Sequence, residues 1–292
     1  MNQMTASRFL PELDSVALRA LVKDLGIPPR PSLLLELQQE LQREEPRMNR
    51  LADIVGSDVA LSAALLRSAN SPLLGLSRPA ETVEQAFMLL GYAHCEAVFI
   101  ELVLRRALPA DGPTLTRFWD VSAKRARAMA WLARTHRLLP PALAHTCGLF
   151  MDVGIPLLAQ RFPGPDGYLA TLSRANDSLE PFTAIEEAAH QCNHTLVGAL
   201  TARTWGVSPT VVLAVRLHHE YPGWAGPLPP QVGELVALGL VTDLLIQSYQ
   251  GKNVHLEWEK GSAAAMERLA LSPDTLGDWE GELHQLFDET GV

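Results

Sequence analysis

Apolar residues in this chain recur at helical spacing, and nowhere do they alternate as a half-buried strand requires. Leu33, Leu34, Leu37 and Leu41 make one stripe, and Leu61, Ala64, Leu65 and Ala69 make another. β-branched runs are rare, aromatic residues are only 6% of the chain, and no repeat has a fixed period. The expected class is therefore all-α.

Boundary residues support the same reading. Asp58 stands where an N-cap would open the second stripe, and Asn70-Ser71-Pro72 closes it, because proline disfavours helical geometry in the residue before it. That turn, with Asn70 tolerating left-handed geometry, is preferred to a ligand role for the three residues. Thr82 and Gln85 form a capping box, and Gly91 is the matching stop. Thr183 and Glu186 repeat the box, which predicts a helix running through His194 and Leu200. Ser208-Pro209 predicts a capped helix from Thr210 to His218.

Two prolines and a glycine within Pro109–Pro113 mark the main break. The organisation expected is a helical lobe over 1–112, a second lobe over 113–250, and a helical C-terminal extension over 251–292. Tyr221 to Pro230 is a second break, and Trp258 and Trp279 suggest that the extension packs on the body.

Charge and cysteine content exclude several classes. Thirty-three acidic against 24 basic residues give a net charge of −9, which disfavours nucleic acid and anionic membrane as partners. Cys95, Cys147 and Cys192 are too scattered for a disulfide scaffold, and no CxxC pair occurs. Cys147 and Cys192 read as small core residues. The start has no basic region followed by an apolar one, and no segment reads as long enough to span a bilayer, so a cytoplasmic setting is expected.

Nine histidines in a helical chain call for a metal check. His and carboxylate side chains from several helices can converge on divalent ions that activate water. The set of interest is Asp152, His190, His194, His218, His219 and Asp243. Glu186, His190 and His194, spaced four apart, could share one helix face. Against this, histidines at helix ends often bind free carbonyls, and adjacent His218 and His219 are not expected to face one site. HExxH, P-loop and GxSxG motifs are absent.

Three segments taken together resemble one family. They are DVALSAALLRSANSPLLG (Asp58 to Gly75) with TVEQAFMLLG (Thr82 to Gly91), FWDVSAKRA (Phe118 to Ala126) leading to CGLFMDVGIPLL (Cys147 to Leu158), and EEAAHQCNHTLVGALTARTWGVSPTVVLAVRLHHE (Glu186 to Glu220). Over about residues 22 to 245 the chain is similar to the HDOD domain, the HD-related output domain of bacterial signalling. The resemblance implies a two-lobed all-α HDOD/HD-like fold.

That family in turn resembles HD metal phosphohydrolases, and here the resemblance places Val121 at the first ligand histidine and Met151 at the histidine of the doublet with Asp152. His194, His218 or His219, and Asp243 match later ligand positions. Valine and methionine offer nothing to a hard divalent ion. The implied protein is a non-enzymatic signalling module with no cofactor, working through a protein partner and perhaps through a nucleotide or small ligand in the relict cleft. A receiver domain fused beside it would not fit in 292 residues, so a stand-alone module is expected. The alternative is a degenerate but active metal phosphohydrolase using Asp152, His194, His218 or His219, and Asp243.

Two further expectations concern Phe118 to Leu132 and its neighbours. Arg117, Lys124, Arg127 and Arg134 share one side of the helix, as a solvated face or as a docking patch for an acidic partner or a nucleotide phosphate. Arg125 shares the opposite, apolar side with Phe118, Val121, Met129 and Leu132. It is expected either to pair with Asp152 or Asp243 or to extend its head into solvent.

Overall fold

The computed structural model describes residues 23–71, 79–109, 112–224, 228–251 and 256–290. Every regular element among them is a helix. The chain divides into two compact units, one formed by Pro29–Leu108 and the other by 23–28 with 109–290.

The smaller unit holds α1 (Ser32–Leu41), α2 (Met48–Gly56), α3 (Val59–Ala69), α4 (Val83–Leu90) and α5 (Tyr92–Ala107). Its core is the predicted stripes, with Leu34, Leu37, Leu61, Leu65 and Ala69 all buried. Asp58 caps α3 through Ala60 N and Leu61 N. The Thr82–Gln85 box is formed, and Gly91 stops α4 at φ 76, where a residue with a Cβ would be strained. Asn70 does not adopt the left-handed geometry expected of it; its φ is −95. Its side chain instead brackets the backbone of Ala80, donating to the carbonyl at 2.9 Å and accepting from the amide at 2.6 Å. Pro72 lies outside the described residues.

Buried Glu40 receives both a backbone and a side-chain bond from Arg47. The Arg47 guanidinium outweighs the desolvation that opposes it and holds the carboxyl down at about 2. A depressed carboxylate stabilises above its ordinary value and loses that contribution as pH falls towards the folded one. Denaturant unfolding followed from pH 5 down to pH 2.5 should therefore show a shallower loss in Arg47→Ala than in the parent. Equal slopes would contradict the pairing.

The larger unit contains α6 (Pro113–Thr135), α7 (Pro141–Phe150), α8 (Gly154–Arg161), α9 (Tyr168–Asn176), α10 (Phe182–His190), α11 (His194–Thr204), α12 (Pro209–Leu217), α13 (Tyr221–Trp224), α14 (Pro230–Tyr249), α15 (Leu256–Arg268) and α16 (Pro273–Thr290). Residues 23–28 belong to it: Trp205 Nε1 donates to the Pro28 carbonyl, and Arg161 pairs with Asp24. The central element is α14, buried from Val232 to Ile246 on nearly every side. That explains its all-round apolar character. Helices α15 and α16 pack on it, and Trp279 of α16 stacks on His136 at 4.5 Å.

Two sequence expectations need correcting here. Pro141–Arg161 and Pro230–Tyr249 are in fact long and apolar enough to cross a membrane, by length and composition. Two-thirds of each window is buried within the protein, so the protein itself supplies the apolar surroundings that these segments require. Asp243 alone does not break the apolar run of Pro230–Tyr249.

The second correction concerns the helix expected to run from Thr183 through His194. It is two helices, broken at Gln191, which is left-handed at φ 60, with α11 restarting under an Asn193 cap. Thr183 caps nothing and lies buried inside α10, which begins at Phe182. By contrast Ser208 caps α12 as expected, with Pro209 in its first turn.

Small residues bring the helices that carry the site together. A Cβ on Gly148 of α7 would fall 2.8 Å from Met129 Sδ and 2.9 Å from Ala126 Cα, so α6 and α7 cross at backbone distance. Gly154, the first residue of α8, abuts the backbone of His194 just as closely.

Candidate functional site

The break at Gln191 turns the chain so that α11 opens at His194, with its ring fully buried. His194 Nδ1 faces the carboxylate of Glu186 at 2.8 Å, and Glu186 also accepts from Tyr168. Glu186, read from sequence both as a capping residue and as a possible face-mate of His190 and His194, is a fully buried carboxylate that fixes the His194 imidazole. His190 faces elsewhere, with Nε2 3.0 Å from Thr171 Oγ1, because the break separates it from His194.

Helix α12 ends at Leu217, and His218, still in right-handed geometry at φ −67, forms with His219 the turn that follows. The two rings can thus point the same way, their centroids 4.3 Å apart. The expectation that His218 and His219 could not face one site is wrong for this reason. His218 Nδ1 donates to the Val215 carbonyl at 2.7 Å. His219 Nδ1 lies 2.8 Å from Glu257 of α15, a residue the sequence did not suggest. Asp152, in the turn between α7 and α8, places Oδ1 3.3 Å from His218 Nε2 and 3.5 Å from His194 Nε2. One ligand atom from each of Asp152, His194, His218 and His219 lies within 4.8 Å of the others.

Beside this cluster sits Arg125, which is 3% exposed. Its Nη2 contacts Asp152 Oδ2 at 2.7 Å and its Nη1 meets Asp243 Oδ2 at 2.9 Å, while Nε donates to the Gly148 carbonyl. The guanidinium therefore pairs with both carboxylates and does not reach solvent.

The electrostatics follow from these contacts. Burial opposes ionisation of Asp152, but Arg125, His218 and His194 together outweigh it and hold the carboxyl well below the usual range. Burial likewise disfavours a charged His194, and Glu186 reverses that, raising it. For His219 burial wins, with the neighbouring His218 adding to it, and the ring is pushed down to about 4. Cys147 and Cys192 are buried, their thiols raised by desolvation to about 12 and about 11, as fits core residues.

The other predicted residues fall as follows. Val121 lines a cleft of about 540 Å³ together with Asp152, Asp243 and Arg117. Met151 is buried and turns its sulfur onto Gly239 of α14. The basic stripe is divided. Arg117, Arg127 and Arg134 are exposed, but Lys124 is half-buried, its Nζ 5.2 Å from the ring centre of Tyr249 and 4.9 Å from that of Phe287.

The HDOD domain model matches residues 27–221, two-thirds of the chain. The chain belongs to the HDOD domain family. An uncharacterised protein of Treponema pallidum is 22% identical over 197 residues, which is 67% of this chain but only 38% of that protein. An HDOD domain protein of unknown function from Geobacter sulfurreducens has the same fold (TM-score 0.64, 20% identity, 98% of this chain and 94% of that one). So does a Shewanella amazonensis protein described only as a candidate phosphohydrolase (TM-score 0.67, 21% identity, 91% and 94%).

The two-metal centre of HD phosphohydrolases does not fit this HDOD chain. Such a centre needs ligands from both carboxylates for ions a few ångströms apart. Here a guanidinium is paired with Asp152 and Asp243 together, Val121 offers no donor, and the Met151 sulfur is packed against Gly239.

Proposed function

We propose that this chain is a regulatory HDOD module of bacterial signal transduction, which works by binding a partner protein and not by hydrolysing phosphoesters. The observation that carries the reading is Arg125, whose buried guanidinium pairs with Asp152 and Asp243 together. A fixed organic cation neutralises the carboxylates but cannot lower the pKa of a bound water. The cleft beside it, with Arg117 at its wall, is the place for a nucleotide or small ligand to modulate the partner.

The second reading, a degenerate but active metal phosphohydrolase using Asp152, His194, His218 or His219, and Asp243, is favoured by the convergence of Asp152 with three imidazoles. An assay of a simple aryl phosphodiester and of cyclic dinucleotides, with Mn²⁺, Fe²⁺ or Ni²⁺ supplied, separates the two. Turnover at the no-protein rate is expected. Metal-dependent turnover that His194→Ala abolishes would overturn the regulatory reading.

A further inference from the structure

The cleft of about 540 Å³, bounded by α6, α9, α14 and the start of α15, lies within the larger unit and has the size of a small-molecule pocket. Helix α6 opens in its wall. The first turn has no capping side chain and no acidic residue, and Pro113 has no N–H to offer. The amides of Thr114 and Leu115, both in the wall, have no acceptor among the described residues. Arg117, Phe118, Val121 and Ser122 follow Thr114 at helical spacing, so one face of α6 supplies this wall. Arg117 is exposed and joins no ion pair among the described residues. Free amides at a helix start, beside a free guanidinium, favour an anion.

Further along the same face stands Ser122. It is 1% exposed, it lines the cleft, and its hydroxyl has no hydrogen-bond partner among the described residues. A buried hydroxyl left unpaired costs stability until something entering the cleft satisfies it. Another wall has the opposite polarity. Helix α9 ends there with Asn176 and Asp177, and a helix C-terminus favours a positive group. The exposed Asp177 carboxylate joins no ion pair among the described residues. Phe118, Val121, Ile155 and Leu172 supply apolar surface to the same cleft.

The geometry points to a site for a small zwitterion with an apolar side chain, of the amino-acid and short-peptide class. Its carboxylate takes the Thr114 and Leu115 amides and the Arg117 guanidinium, its ammonium faces Asp177, and a polar atom satisfies Ser122. The site rests on the regulatory reading, which takes this cleft as a ligand pocket, and it narrows the ligand. A phosphomonoester carries about −1.5 to −2 charges at neutral pH. Asp152, Asp177, Asp243 and Glu257 line the cleft, against Arg117 as the only cation in its wall among the described residues. A carboxylate brings a single negative charge and matches the guanidinium fork. A monoanion that carries its own cation therefore suits this cleft better than a nucleotide.

The test is titration calorimetry on the full chain with chelator present. The probes are L-leucine, L-phenylalanine and the dipeptide leucyl-phenylalanine, set against N-acetyl-phenylalanine, phenylalanine amide, AMP and inorganic phosphate. Expected is saturable binding of one equivalent of a zwitterion, with the acetylated, amidated and phosphate probes bound at least about tenfold more weakly. Tighter binding of the dipeptide identifies a peptide source, and tighter binding of an amino acid identifies the free pool. Arg117→Gln and Asp177→Asn should each weaken binding by about tenfold, as the loss of a charge-assisted hydrogen bond does. Ser122→Ala should weaken binding while leaving the melting temperature of the unliganded chain unchanged or higher, because its hydroxyl has no protein partner to lose. Arg50→Gln, in the smaller unit, should change nothing. No binding at millimolar concentration, equal binding of the acetylated probe, tighter binding of AMP, or an affinity indifferent to both Arg117 and Asp177 would each overturn the proposal. Phosphodiester turnover in the separate assay would overturn the regulatory reading and leave these affinities as they are.

Discussion

Arg125→Ala destabilises the larger unit by about 3–5 kcal/mol, the range for removing one partner of a buried ion pair and leaving the other uncompensated. At this size that corresponds to a melting-temperature loss of about 6–20 °C. The argument rests on position. Arg125 is 3% exposed, and its fork serves Asp152 and Asp243 with different nitrogens while Nε holds the Gly148 carbonyl. Arg125→Lys should recover only part of the loss, because one ammonium cannot reproduce the planar fork. Asp152→Asn combined with Asp243→Asn in the Arg125→Ala background should recover stability, since the orphaned charges are then gone. Chemical denaturation checks all three. An Arg125→Ala protein within about 0.5 kcal/mol of the parent, the size of an ordinary surface change, would contradict the account.

The second large effect is expected at Glu186. Its side chain is fully buried, and it accepts from both the Tyr168 hydroxyl and the His194 ring, two groups that are themselves shut off from water. Glu186→Ala strands both donors. At about 1–3 kcal/mol for each unsatisfied buried group, the expected loss is about 2–6 kcal/mol. Glu186→Gln keeps an acceptor and should cost less. The two variants are compared by denaturant unfolding in the presence of chelator. A Glu186→Gln protein less stable than Glu186→Ala would contradict the hydrogen-bonding role assigned here.

Some of this was legible from residues alone, for local reasons. Helical periodicity and the caps at Asp58, Thr82 and Ser208 depend on neighbours a few positions away, and each is where the sequence puts it. The pairing of Arg125 could be argued because an arginine on an apolar helix face needs a partner, and Asp152 and Asp243 were the carboxylates that the family resemblance placed nearby.

What was not legible depends on chain direction or on distant segments. Gln191 adopts φ 60 without being glycine, so nothing in its identity announced the break that separates His190 from His194. Helix α12 ends one residue before His218, and periodicity locates a helix end only to within a few residues. That uncertainty was enough to set His218 and His219 on different faces. Glu257 reaches His219 across 38 positions, and a lone glutamate in a charged stretch carries no signal of such a contact. Lys124 kept its place on the basic face, but the aromatic rings of Tyr249 and Phe287, which lie near its ammonium, belong to helices more than a hundred residues on.

The central claim is that Arg125 has taken the place of a second metal ion beside Asp152. Anomalous diffraction from crystals of the full chain grown with Zn²⁺ or Mn²⁺ tests it most directly. The account predicts that the Arg125 guanidinium still bridges Asp152 and Asp243, with no pair of peaks sharing Asp152. Two peaks sharing Asp152, with Arg125 swung away from the carboxylates, would contradict it.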